Sequence, residues 1–121
     1  MATISKIVLS GSTDGVGFTL AADSGTYTTI HTGPSVAADQ DEIWIYASNT
    51  GSSSETVTVN WGATSGDTAK MKTVIEPNET VLIAPGLIIQ GNASAALIIT
   101  GASTTASTVN VFGYCNRIDD A

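Results

Sequence analysis

The chain has one histidine, His31, and one cysteine, Cys115, and these bound the chemistry open to it. A zinc site takes three or four ligands drawn from Cys, His and carboxylates. One imidazole and one thiol, far apart in the chain, leave most of that set to acidic residues. Nucleophilic use of Cys115 needs a neighbouring base and a depressed pKa, and His31 is the sole imidazole that could serve. A Ser-His-Asp triad is formally available because serines abound, but no Gly-x-Ser-x-Gly elbow accompanies it. The expectation is a partly exposed strand histidine at 31 and a small buried hydrophobe at 115.

Two other segments have the composition of a site. Asp39-Gln40-Asp41-Glu42 clusters carboxylates as a calcium site does, but not at the spacing of an EF-hand loop. A charged edge at the start of a strand explains it equally well. Ser10 to Gly17 is glycine-rich, yet it lacks the Gly-Lys-Ser/Thr ending of a phosphate loop and no helix follows it. It reads as a turn. The sequons at Asn78 and Asn92 are what chance yields in a chain with 18 Thr and 13 Ser. No catalytic, cofactor-binding or metal-ligating residue is expected.

The elements that must position any site are strands. Ile43, Ile45 and Ala47 alternate with Trp44, Tyr46 and Ser48; Val57, Val59 and Trp61 alternate with Thr56, Thr58 and Asn60; Val109, Val111 and Gly113 alternate with Asn110, Phe112 and Tyr114. This period of two marks sheets with two different faces. In the first and third cases both faces carry apolar or aromatic residues, so both are expected to be covered, one by a second sheet and one by a neighbouring subunit. Ile4 to Leu9, Thr26 to Thr32, Val81 to Ala84, Leu87 to Ile89 and Ala95 to Ile99 add shorter runs. Turn residues separate them, among others at Gly62–Gly66, Pro85-Gly86 and Gly101–Ser107. Nothing shows helical periodicity. The pattern predicts one all-β domain over 1–121, an antiparallel, jelly-roll-like sandwich of eight to ten short strands. Residues 1–10 form its first strand or an N-terminal arm.

Composition narrows the function classes. Four basic and 11 acidic residues give a net charge of −7, the wrong sign for phosphate neutralisation or for docking on anionic membranes. Charged residues are only 12% of the chain, about half the usual share. The start lacks the basic-then-apolar pattern of a signal peptide, so cytoplasmic synthesis is expected. Trp44, Tyr46, Trp61, Phe112 and Tyr114 hold most of the aromatic content. Core packing or an oligomer interface explains them better than a sugar platform.

The order of segments carries a resemblance. Asp41-Glu42-Ile43-Trp44-Ile45-Tyr46-Ala47-Ser48-Asn49 leads to Thr56-Val57-Thr58-Val59-Asn60-Trp61-Gly62, then Val81-Leu82-Ile83-Ala84-Pro85-Gly86-Leu87-Ile88-Ile89, then Val109-Asn110-Val111-Phe112-Gly113-Tyr114-Cys115-Asn116-Arg117-Ile118. This resembles small virion proteins of tailed bacteriophages, over residues 41–118. The resemblance implies a capsid decoration, or cement, protein: a β-sandwich bound as a homotrimer to the outside of the head, bridging capsomers of the major capsid protein. A carbohydrate- or receptor-binding module of head or tail is the alternative it leaves. The expected interface residues are Ile4, Lys6, Val8, Trp44, Tyr46, Phe112 and Tyr114. No cofactor, nucleic acid or membrane enters, and the expected location is the virion surface.

Overall fold

A computed structural model describes residues 2–62 and 69–120. The expected turn at Gly62–Gly66 lies almost wholly outside them. Ten strands follow in order: β1 (Thr3–Val8), β2 (Phe18–Thr19), β3 (Ala21–Ala22), β4 (Thr28–Thr32), β5 (Gln40–Asn49), β6 (Glu55–Trp61), β7 (Lys70–Ile75), β8 (Thr80–Gln90), β9 (Ile98–Ser103) and β10 (Val109–Asp119). They make two five-stranded sheets. Sheet A runs β1-β10-β5-β8, with β2 also on β10; sheet B runs β3-β9-β6-β7, with β4 also on β9. This interleaving of early and late strands is the jelly-roll arrangement of a double-sheet sandwich. All pairings are antiparallel except the short parallel contact of β3 with β9.

The alternation read from the sequence is realised residue by residue. Ile43, Ile45, Ala47, Val57, Val59, Val109 and Val111 point between the sheets and are essentially inaccessible, together with Leu9, Leu20, Ile30, Ile75, Ile99 and Cys115. Gly113 lies on the inward side of β10, where a Cβ would collide with the backbone oxygen of Trp44 and crowd Leu9. Only glycine lets β10 approach β5 so closely there.

Several strand bounds differ from expectation. Val81–Ala84 and Leu87–Ile89 are one strand, because Pro85-Gly86 makes a bulge rather than a turn, seen as the register shift that skips Gly86 against β5, with a second shift at Ile83. Gly86 takes a positive φ of 76° there, which glycine adopts without cost. Gly101 sits inside β9 rather than opening a loop. β7 was not legible as a strand: its inward phase is Met71, Thr73 and Ile75, an apolar repeat broken by Thr73, while Lys70 and Lys72 take the outward phase, a common guard on an edge strand. Residues 3–8 are not a free arm. They pair with β10 from Thr3↔Asp119 to Val8↔Tyr114.

Candidate functional site

The seven residues expected at an interface come together on one surface, the outer face of sheet A. Register places them in cross-strand rows. Val8, Tyr114, Trp44 and Pro85 form one row across β1, β10, β5 and β8, and Phe112, Tyr46 and Leu82 form the next. On the other side lies a polar row, Lys6, Asn116, Glu42 and Ile88, followed by Ile4, Ile118, Gln40 and Gln90. Residues two apart on a strand share a face, so a strict two-residue repeat in three strands yields a continuous surface. Ile4, Val8, Tyr46, Leu82, Ile88 and Phe112 on it are exposed, Ile4 by 70% and Phe112 by 44%.

The centre of this face is ordered by its own side chains. Trp44 and Tyr114 stack with centroids 6.0 Å apart and an interplanar angle of 11°. The Lys6 ammonium lies 5.0 Å from the Tyr114 centroid, a cation–π distance. Gly86 lies against the Trp44 ring, where a Cβ would come within 3.0 Å of Cζ2. Trp44 Nε1 donates to Glu42 Oε1 at 3.1 Å, and Asn116 Nδ2 donates to the same oxygen at 3.0 Å. The Asn116 and Trp44 hydrogen bonds hold the Glu42 carboxyl below the usual carboxylate range. Trp61 does not join this surface. It lies on sheet B, packs partly against the core, and donates to the Ile88 carbonyl at 3.3 Å.

A second cluster is buried between the sheets, and the sequence reading missed it. His31 is 1% exposed and Asp41 wholly buried, so neither the partly exposed histidine nor the solvated acidic edge is observed. Asp41 on β5 faces inward, in phase with Ile43 and Ile45. Arg117 on β10 pairs with it in register and binds it in a fork, Nε to Oδ1 at 2.8 Å and Nη2 to Oδ2 at 2.7 Å. His31 Nε2 lies 2.7 Å from Asp41 Oδ2. The Ser10 backbone N–H donates to His31 Nδ1 at 3.0 Å. That leaves Nδ1 as acceptor and assigns the ring proton to Nε2, directed at Asp41. The signal was present in the two-residue phase: Asp41, Ile43 and Ile45 share a face, as do Gly113, Cys115 and Arg117.

This cluster has triad-like neighbours without triad chemistry. The Nδ1 lone pair is taken by the Ser10 amide, and Ser10 Oγ accepts the Thr32 N–H at 2.6 Å. His31 is therefore not placed as a general base toward that hydroxyl. His31, Asp41 and Cys115 offer one ligand atom each within 4.8 Å of one another. They do not fit a resident metal. His31 Nε2 and Asp41 Oδ2 are engaged with each other, and both Asp41 oxygens are held by the Arg117 fork, so of the three groups only the Cys115 sulfur is not already committed. The Asp39, Asp41 and Glu42 carboxylates do not converge on a calcium either. Asp39 accepts the Asp120 N–H at 3.1 Å, Asp41 points inward and Glu42 outward.

No protein-family model and no curated protein matches the sequence. Among solved structures, the chain is similar to one of the Bacillus endospore appendages, a family of disulfide-linked pili. The TM-score is 0.51 at 17% identity, over 97% of this chain and 85% of that one. At this identity the likeness is one of fold.

Proposed function

We propose that the protein is a structural subunit of a larger particle, with the outer face of sheet A as one of its assembly contacts. The particle is the head of a tailed phage, where a homotrimer sits on the outside and bridges capsomers of the major capsid protein. The observation that carries the reading is the row of exposed apolar side chains across four strands: Val8, Phe112, Tyr46 and Leu82 flanking an ordered Trp44–Tyr114 stack. Contiguous apolar surface of this kind marks protein contacts. The resemblance of residues 41–118 to phage virion proteins supplies the setting. The mechanism is added contact area, on the order of 1,600 Å² for a standard interface. The net charge of −7 keeps nucleic acid and anionic membrane out of the proposed partners, and the proposed location is the virion surface after synthesis in the host cytoplasm.

The fold likeness favours a second reading, a filament subunit, because the Bacillus appendages are pili. Any such filament of this chain would be held together differently. Its one cysteine is buried, so copies cannot be disulfide-linked while the fold is intact. The carbohydrate-binding alternative gains less support. Sugars stack on open ring faces, whereas Tyr114 is flanked by Trp44 and Lys6, and Trp44 by Tyr114 and Gly86.

Mixing the purified protein with heads that lack it, then imaging them, tests the first reading. Stoichiometric density at threefold or quasi-threefold positions is expected. Bare heads would overturn the capsid reading, and filaments in the protein alone would establish the second.

A further inference from the structure

The outer face of sheet A has a charge pattern of its own. Lys6 and Glu42 are the only charged residues among its cross-strand rows, and they cancel. The whole net charge of −7 thus resides on the rest of the chain. Two copies approaching through most other surfaces meet like charge, and here they do not. Lys6 on β1 and Glu42 on β5 flank Asn116 in one row. The β1–β10 half of the face is therefore basic and the β5–β8 half acidic. Four strands about 4.8 Å apart and four rows about 6.8 Å apart span roughly 500 Å², all of which is covered on every copy when each half of the face meets a different neighbour.

We infer that the partner at this face is a second copy of the same chain. The basic β1–β10 half of one copy packs on the acidic β5–β8 half of the next, with Lys6 against the neighbour's Glu42. The two halves are different surfaces, so the contact is heterologous and closes into a ring when its rotation allows. This inference rests on the assembly reading above and assigns the face to copy–copy contact, leaving the shell to another surface. At the seam, Phe112, Tyr46 and Leu82 supply the apolar core and the charges set which half meets which.

The test is the oligomeric state of the purified full chain, by sedimentation or light scattering over a dilution series, with circular dichroism confirming the fold. Wild type is expected as a closed multimer. Lys6→Glu and Glu42→Lys alone each place like charges together and weaken association at least about tenfold. Combining both changes in one chain restores it. Leu82→Glu disrupts association in the same way, and Leu82 makes no side-chain hydrogen bond that the change would break. A wild type monomeric at every concentration would overturn the inference, as would single variants that associate like wild type or a charge swap that restores nothing. Head binding by such a monomer would leave the capsid reading standing without its trimer, so the two fail separately.

Discussion

Asp41 is where three segments meet: Arg117 from β10 and His31 from β4 bind its carboxylate, while the Ser10 amide anchors the far side of the imidazole. Burial alone would raise its pKa. The Arg117 and His31 hydrogen bonds outweigh that and hold it far below the carboxylate range. Breaking a buried pair by removing one partner costs about 3–5 kcal/mol. Arg117 is 34% exposed, so Asp41→Asn is expected near the lower end, about 3 kcal/mol, by urea denaturation near neutral pH. The lowered pKa sets the sign of the pH dependence. The stabilisation is present above the unfolded carboxylate value of about 4 and is lost as pH falls toward the folded value. The gap between wild type and Asp41→Asn should hold at pH 5 and above and close toward strongly acid pH. A gap that is constant down to the lowest pH would contradict the pairing. Cys115 behaves oppositely. Its thiol is pushed up to about 12, by burial first. The native state then keeps its proton where the unfolded thiol, near about 8.5, has lost it. Stability should fall as pH rises from about 9. An aromatic disulfide reagent at pH 8 should leave the native thiol untouched and titrate it fully in urea.

At the scale of elements, the two-faced strands β5 and β10 do most to shape the surface. Their inward residues make the core and their outward residues make the aromatic rows, so each position has one assignment set by phase alone. β8 depends on a local device instead. The bulge at Pro85-Gly86 keeps one strand going where two were expected, and its glycine lies under the Trp44 ring with φ at 76°. Gly86→Ala imposes a left-handed conformation on a residue with a Cβ and presses that Cβ toward Trp44. A loss of about 1–2 kcal/mol is expected in thermal or urea unfolding. An unchanged midpoint would mean the bulge relaxes freely. β1 contributes differently, since of its six residues only Ile7 is not exposed, and the strand is held mainly by its ladder to β10. Ile7 packs against the core and Leu9, immediately after the strand, is fully buried, so the strand is tied to the core toward its C-terminal end.

At the scale of the whole molecule, sheets A and B divide the work. The space between them holds the core and the Asp41 cluster, which ties β4 of sheet B to β5 and β10 of sheet A. The outer face of sheet A is left with apolar rows and balanced charge, while the remaining surface carries the acid. A chain with 12% charged residues has few means of keeping a large face soluble, and on the rows around Trp44 and Tyr114 it spends only the balanced pair Lys6 and Glu42. The assembly and copy–copy proposals are both claims at this scale. They are separable because one concerns a particle and the other the protein alone in solution.

Fold class was legible because side-chain phase is a local property: alternation in 43–48 and 109–114 states which residues share a face without reference to any partner. The same phase placed Trp44, Tyr46, Phe112 and Tyr114 outward and predicted their common surface once β5 and β10 were paired. Pairing itself was not legible. Nothing local says that residue 117 stands opposite residue 41, or that His31 on the other sheet reaches the same carboxylate. Those contacts join positions far apart in the chain, and register is decided only when both sheets close on one core. For that reason the acidic run looked like a charged edge, and the tertiary structure turned its Asp41 into the buried anchor of the sandwich.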